Sequence, residues 1–101
     1  MNLFRRKPWS LNPEIFSMPK KVTVYSAPYC PYCERTKQLL KSKNVAFVEI
    51  DVSREPEKRE KVQNETGWTT VPMIFIGDEF IGGYDDLAQL EDSGKLDAKL
   101  S

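Results

Sequence analysis

The sequence contains no histidine and only two cysteines among its 101 residues. Without histidine, the chain lacks the side chain that most often serves as general base, activates a nucleophile or binds a transition metal. Two cysteines are also too few to complete a four-ligand zinc site of nitrogen and sulfur atoms within one chain. These absences exclude histidine-dependent nucleophilic catalysis, and we expect no bound metal ion.

The sequence also lacks a net charge, because 15 basic residues balance 15 acidic ones. A balanced charge offers no broad field for attracting nucleic acid, so any anion must bind at a local site. No stretch approaches the ~18–20 apolar residues that span a membrane, and prolines and polar residues follow the basic triplet at 5–7 where a secretory signal would be apolar. We therefore expect a cytoplasmic monomer that binds neither nucleic acid nor membranes.

The composition changes near residue 20, although the chain has the length of one compact domain. Three prolines (Pro8, Pro13 and Pro19) interrupt residues 1–19, and proline breaks both helix and sheet. We interpret 1–19 as an N-terminal arm that is partly disordered or packed on the domain through Trp9 and Phe16. The missing helical period disfavours a membrane-surface or partner-binding segment. Residues 20–101 then form the domain.

From residue 21 onward, strand patterns alternate with helix patterns. β-Branched and aromatic residues predict strands at 22–26, 45–50, 73–76 and 79–81, with a hairpin turn at 77–78. Helical spacing predicts helices at 31–42 and 57–64, and a last long helix that opens with a capping box at 86–89 and stops at 94, before a short turn at 96–100. The second strand is largely apolar, so we expect it to be buried on both faces. The order β-α-β-α-β-β-α predicts an α/β fold that contains a βαβ unit.

The two cysteines stand in the segment Cys30-Pro31-Tyr32-Cys33, at the predicted start of the first helix. Cys30 takes the N-cap position, and Pro31 takes the first helical position, where its missing N–H costs nothing. The free N–H groups of the first turn and the helix dipole then favour a thiolate at Cys30. A structural disulfide across so short a loop would restrict the unfolded chain rather little. We interpret Cys30 as the nucleophile and the more buried Cys33 as a resolving thiol.

With these features the sequence resembles the dithiol glutaredoxins of the thioredoxin superfamily. Three motifs carry the resemblance in order: Cys30-Pro31-Tyr32-Cys33, Thr70-Val71-Pro72 before the third strand, and Gly82-Gly83-Tyr84-Asp85-Asp86 before the last helix. The resemblance covers residues 21 to about 100. It implies a thioredoxin-like fold, with a four-stranded mixed sheet flanked by helices, and a cis peptide bond between Val71 and Pro72.

The resemblance also implies that glutathione is a co-substrate with its own site. A cis proline facing Cys30 would turn the backbone of Val71 outward to pair with the cysteine of glutathione. The backbone at Gly83 and the start of the last helix would hold the γ-glutamyl end, and a basic residue on the second helix would hold the glycine carboxylate. The implied glutathione-binding residues are Tyr32, Arg59, Thr70, Val71, Pro72, Gly83, Asp85 and Asp86; the two aspartates also suit helix capping.

The sequence departs from the family pattern at Ala27, where a lysine or arginine is common three residues before the first cysteine. This departure weakens the case for tight glutathione binding. Trp68 and Tyr84 are also larger than the residues often found at their positions, and they either wall the groove or pack at its rim.

We therefore expect an enzyme that reduces glutathione mixed disulfides through Cys30 alone and protein disulfides through Cys30 with Cys33. Its partners would be glutathione and glutathionylated or disulfide-containing proteins. Two alternatives stay open. One is a thioredoxin-like electron donor with weak use of glutathione, which Ala27 favours. The other is a carrier of a [2Fe–2S] cluster held by Cys30 of two chains and two glutathiones, although Pro31 and Cys33 resemble the dithiol group.

Overall fold

The computed structural model describes residues 20–100, and the predicted arm at 1–19 lies outside the described residues. The described part contains strands β1 (Val22–Ser26), β2 (Phe47–Asp51), β3 (Met73–Ile76) and β4 (Glu79–Gly82), and helices α1 (Pro31–Ser42), α2 (Pro56–Thr66), α3 (Tyr84–Asp92) and α4 (Leu96–Leu100). The order along the chain is the predicted β-α-β-α-β-β-α, with α4 at the position of the expected final turn.

The four strands form one mixed sheet in the order β2-β1-β3-β4, as expected. β1 runs parallel to β2 and antiparallel to β3, and β3 is antiparallel to β4. The parallel pair is connected through α1, which forms the predicted βαβ unit. Tyr25, near the end of β1, lies opposite Met73, at the start of β3. This register brings the segment after β1 and the segment before β3 to the same edge of the sheet.

One face of the sheet packs against α1, α3 and α4. Because side chains alternate along a strand, Val22 and Val24 of β1 point to this face together with residues of β3. The buried cluster consists of Val22, Val24, Leu40, Ile74, Ile76, Leu87, Leu96 and Leu100. It fixes α1, whose first turn holds both cysteines, against the sheet.

The opposite face carries a row of aromatic rings beside α2. The centroid of Phe75 lies 5.8 Å from that of Tyr25 and 5.2 Å from that of Phe80, and Phe80 lies 5.6 Å from Trp68. Val62 of α2 is buried in the same cluster. The row therefore connects the middle of the sheet to the segment before β3.

The expectation that the second strand is buried on both faces is wrong. β2 begins at Phe47 and lies at the edge of the sheet, and Val48 is 44% exposed. The apolar run reflects the preference of β-branched and aromatic residues for extended backbone, which does not require burial. The edge position leaves Glu49 free to interact with polar groups of β1 and α1.

The predicted capping box at 86–89 is also wrong, because α3 begins three residues earlier than that pattern requires. Gly83 is the N-cap, and Asp86 occupies the third helical position, from which its Oδ2 accepts a hydrogen bond from the Gly83 N–H at 3.0 Å. Glycine has no side chain for the reciprocal bond, so only half of the box forms. The helix is short and ends at Asp92, just before Gly94 with φ of 76°.

Candidate active site

Cys30 lies where the chain leaves β1 and begins α1. It is the N-cap of α1, with extended backbone angles φ −104° and ψ 107°, and Pro31 follows in the first turn, as predicted. The Cys33 N–H donates a hydrogen bond to Cys30 Sγ at 3.1 Å. A donor aimed at the sulfur and the positive end of the helix dipole both favour negative charge at this atom. The local sequence therefore places a sulfur in a setting that favours negative charge, at the edge of the sheet.

Cys33 is more deeply buried than Cys30, and its own pKa is raised. Both thiols are free, but Cys33 is fully buried whereas Cys30 is partly exposed. Burial, followed by the hydrogen bond with Cys30, raises the pKa of Cys33 to about 12. At neutral pH Cys33 therefore keeps its proton and is closed to solvent, while Cys30 is the thiol that an external disulfide reaches first.

The segment before β3 faces Cys30 from the opposite side. The peptide bond between Val71 and Pro72 is cis, which confirms the expectation drawn from the resemblance. The carbonyl oxygen of Val71 lies 3.9 Å from Cys30 Sγ. The β1–β3 register described above produces this approach, because Pro72 directly precedes the residue that pairs with Tyr25.

A groove of about 420 Å³ begins at this segment and ends at the start of α3. It contains seven of the eight residues that the resemblance implied for glutathione and two residues of larger size. The lining residues are Tyr32, Trp68, Thr70, Val71, Pro72, Gly83, Tyr84, Asp85 and Asp86. The ring centroids of Tyr32 and Tyr84 lie 6.3 Å apart. Trp68 and Tyr84 therefore form walls of the groove.

Arg59, the eighth implied residue, is not among the residues that line the groove. It lies in the first turn of α2, where its backbone N–H donates a hydrogen bond to the carbonyl oxygen of Glu55 at 3.2 Å. Its neighbour Lys58 forms an ion pair with Glu55 at 2.9 Å. Among the described residues, no lysine or arginine lines the groove, and its charged lining is acidic. The cation for a glycine carboxylate is thus the weakest element of the predicted site.

The two aspartates at the start of α3 differ in their contacts and in their exposure. Asp86 accepts the hydrogen bond from the Gly83 N–H and is partly buried, whereas Asp85 is exposed in the first turn. A side chain on Gly82, which has φ of 120°, would collide with the Asp86 carboxylate. The glycine at this position therefore allows the close approach that orients Asp86 toward the backbone.

A cation beside the groove was missed in the sequence. The Arg35 guanidinium lies 5.2 Å from the centroid of the Tyr32 ring, at a distance that allows a cation–π contact. The two residues are three positions apart on α1, and this spacing places side chains on the same face of a helix. That spacing is the signal that identifies Arg35 as a neighbour of the groove.

A polar network connects the start of α1 to β1 and β2. This network was not predicted from the sequence. Ser26 Oγ donates to Glu49 Oε2 at 2.6 Å, and Lys37 Nζ lies 2.9 Å from the same oxygen. Lys37 Nζ also lies 2.8 Å from Glu34 Oε2. The hydrogen bond from Ser26, followed by that from Lys37, lowers the pKa of Glu49. The network connects β1, β2 and α1 close to the cysteine pair.

Two further features concern metals and membranes. Within residues 20–100, no three His, Cys, Asp or Glu side chains are grouped so that they could hold a metal ion. In the same part of the chain, no helix has the length and apolar character needed to cross a membrane.

Known proteins resemble this chain in sequence and in fold. The glutaredoxin family model matches residues 22–81. A glutaredoxin of Pseudomonas aeruginosa is 51% identical over 80 residues, which cover 79% of this chain and 95% of the relative. The solution structure of a glutaredoxin from Brucella melitensis is 49% identical with a TM-score of 0.74, and the match covers 83% of this chain and 91% of that one. A crystal structure of a buckwheat glutaredoxin–glutathione complex is 33% identical with a TM-score of 0.75, over 78% of this chain and 74% of that one. These matches confirm the thioredoxin-like fold.

Proposed function

The chain belongs to the glutaredoxin family and is a thiol–disulfide oxidoreductase, and from this premise we propose that glutathione supplies its electrons. The Cys30 thiolate attacks the glutathione sulfur of a mixed disulfide. The old S–S bond breaks, and the substrate leaves as a thiolate that takes up a proton. A second glutathione thiolate then attacks the Cys30-bound glutathione, which leaves as glutathione disulfide and regenerates the Cys30 thiolate.

Protein disulfides require both cysteines. Cys30 forms a mixed disulfide with the protein substrate, and Cys33 then attacks the Cys30 sulfur. The substrate thiolate leaves and takes up the proton that Cys33 gives away, so the enzyme ends with a Cys30–Cys33 disulfide. Two glutathiones reduce this bond. The raised pKa of Cys33 supports this order, because a protonated thiol does not compete with Cys30 for the substrate.

The observation that carries the proposal is the groove beside Cys30. The groove extends from Val71 to the start of α3. The Val71 backbone is the proposed partner of the glutathione cysteine, and the free N–H groups of α3 are the proposed partners of the γ-glutamyl carboxylate. Exposed Asp85 is the proposed partner of the ligand's ammonium. The buckwheat relative was crystallised as a glutathione complex, which supports the same ligand here.

The proposed partner of the glycine carboxylate is Arg59, and a matched pair of thiols tests it. Glutathione and γ-glutamylcysteine differ only in the glycine. If Arg59 holds the glycine carboxylate, Arg59→Gln raises the KM for glutathione and leaves the KM for γ-glutamylcysteine unchanged. If the KM for glutathione equals that for γ-glutamylcysteine in both the wild type and Arg59→Gln, Arg59 does not hold the glycine carboxylate.

The proposed electron donor is tested with the oxidised protein. Glutathione with glutathione reductase should reduce the Cys30–Cys33 disulfide, and thioredoxin reductase should not. Reduction by thioredoxin reductase alone would instead support the thioredoxin-like electron donor. Ala27 favours this alternative, as does the lack of a basic residue in the groove lining within residues 20–100. The cluster-carrying alternative predicts colour after anaerobic reconstitution with iron, sulfide and glutathione, whereas the proposed function predicts a colourless protein.

We further propose that the protein acts as a monomer in the cytoplasm. Reducing conditions there keep both cysteines available as thiols. Its partners are glutathione and proteins with glutathionylated or disulfide-bonded cysteines, and the zero net charge gives no support for nucleic acid as a partner.

A further inference from the structure

Tyr29 directly precedes the nucleophilic cysteine and has no role in the described fold. Its side chain is fully exposed, with a relative accessibility of 103%. Its φ of 59° places it in the left-handed region, which a residue with a bulky side chain rarely adopts and which suits glycine or asparagine. Neither packing nor backbone geometry therefore explains a tyrosine at this position.

Asn44 provides the comparison within the same chain. It also has φ of 59°, just after the end of α1, where asparagine is a common residue because its side chain tolerates this conformation. Asn44 is thus explained by the turn that it occupies. In the part of the chain that the structure describes, Tyr29 has the same backbone strain without the residue type that relieves it, and no hydrogen bond or ring contact holds its side chain.

The position of Tyr29 separates it from the glutathione groove. The groove is lined by Tyr32, the segment before β3 and the start of α3, and Tyr29 is not among its lining residues. Tyr29 is nevertheless the chain neighbour of Cys30, so we expect a protein segment whose cysteine is bonded to Cys30 Sγ to lie near it. Tyr29 and the half-exposed ring of Tyr32 then present aromatic surface to the residues flanking the substrate cysteine.

We propose that Tyr29 determines specificity among protein disulfides, by packing against an apolar side chain next to the substrate cysteine. This inference rests on the proposed reduction of protein disulfides. Non-glycine residues held at a positive φ, as Tyr29 is, cluster at active sites and ligand clamps, and tyrosine combines a large contact area with few rotatable bonds. The contact forms when Cys30 attacks the substrate sulfur and ends when Cys33 displaces the substrate thiolate.

The test uses two disulfide peptides that differ only in the residue after the cysteine, leucine in one and serine in the other. Pre-reduced enzyme reduces each peptide in a single turnover, in the absence of glutathione. We expect the wild type to react faster with the leucine peptide, and Tyr29→Asn to remove this preference through a roughly three- to tenfold loss of rate on the leucine peptide. Tyr29→Phe should keep the preference.

The controls separate a binding role from a structural one. Tyr29→Asn relieves backbone strain, so its Tm should equal or exceed that of the wild type, and its rate on the glutathione mixed disulfide of 2-mercaptoethanol should be unchanged. Asn44→Gly changes the other described non-glycine residue with a positive φ and should leave all rates unchanged. Equal loss on every substrate, or no loss on any, would overturn the proposal. Because the single-turnover assay contains no glutathione, failure of the proposed electron donor would not affect its outcome.

Discussion

The backbone N–H of Cys33 and the Sγ of Cys30 are joined by a hydrogen bond of 3.1 Å across the first turn of α1. This bond stabilises charge on the outer sulfur, and the same turn places the inner thiol on the same face for attack. Because Cys33 is fully buried whereas Cys30 is partly exposed, one turn of helix gives two identical side chains different access to solvent.

The pKa of Cys33 predicts how stability depends on pH in the reduced protein. Burial raises this pKa to about 12, whereas an unfolded cysteine titrates at about 8.5. Between these values the folded state holds the extra proton, so the free energy of unfolding falls as pH rises, by up to about 1.4 kcal/mol per unit. Urea unfolding of the wild type and Cys33→Ser from pH 7 to 11 isolates this effect, since serine does not titrate. A difference between the two proteins that stays constant with pH would contradict it.

The Ser26–Glu49 hydrogen bond predicts how the stability of a Ser26 variant depends on acidic pH. Ser26→Ala should lower the free energy of unfolding at pH 7 by about 1 kcal/mol. This value is smaller than is usual for a hydrogen bond to a charged group, because Glu49 is partly exposed and solvent screens its charge. The folded pKa of Glu49 is lowered, so this stability is present above the unfolded value and lost as pH falls through the folded one. The loss caused by Ser26→Ala should therefore shrink at pH 3.

Ser42→Ala is the matched control for that measurement. Ser42 Oγ donates to the carbonyl of Leu39 at 2.7 Å, and neither group titrates. Its effect on the free energy of unfolding should be the same at pH 7 and pH 3. If Ser26→Ala behaved in this pH-independent way as well, the hydrogen bond to ionised Glu49 would not be the source of its stability.

The two aspartates of α3 predict a division between stability and ligand binding. Asp86→Ala removes the acceptor for the Gly83 N–H and should lower the free energy of unfolding by about 1 kcal/mol. Asp85→Ala should have a smaller effect on stability and should raise the KM for glutathione more than it changes kcat. Urea unfolding and glutathione titrations of both variants measure the two effects, and a reversed pattern would exchange the roles of the aspartates.

Substitution of Gly82, the second residue before α3, should cause a large loss of stability, and Gly67 provides the comparison. Gly82→Ala should destabilise the protein by about 3 kcal/mol, because the new side chain meets both an unfavourable φ and the Asp86 carboxylate. Gly67 also has a positive φ but open space around it, so Gly67→Ala should cost only about 1 kcal/mol. Similar losses in the two variants would show that the collision at Gly82 is relieved by movement of Asp86.

Local sequence patterns were sufficient to predict the segments whose conformation depends mainly on their own residues. The β-branched run at 22–26 and the Cys30-Pro31 start of α1 appear in the structure as predicted. The cis bond before Pro72 followed only from the resemblance, because local physics gives an X-Pro bond a small preference for trans. The prediction that these residues lie together therefore depended on the resemblance as well as on local physics.

Tertiary context accounts for the features that were wrong or missed. The apolar sequence of β2 does not reveal whether the strand lies in the centre or at the edge of the sheet, so its exposure was mispredicted. The start of α3 was misplaced because Gly83 caps the helix without a side chain. The network of Ser26, Lys37 and Glu49 joins residues far apart in sequence, which no local pattern connects.

The most direct test of the account compares Cys30→Ser with Cys33→Ser on two substrates, a glutathione mixed disulfide and a protein disulfide, in an assay coupled to glutathione reductase. Cys30→Ser should be inactive on both substrates. Cys33→Ser should retain most of its activity on the mixed disulfide and lose turnover of the protein disulfide, because only the second route needs the resolving thiol. Equal loss of activity in the two variants on the mixed disulfide would contradict the proposal that Cys30 alone carries this route.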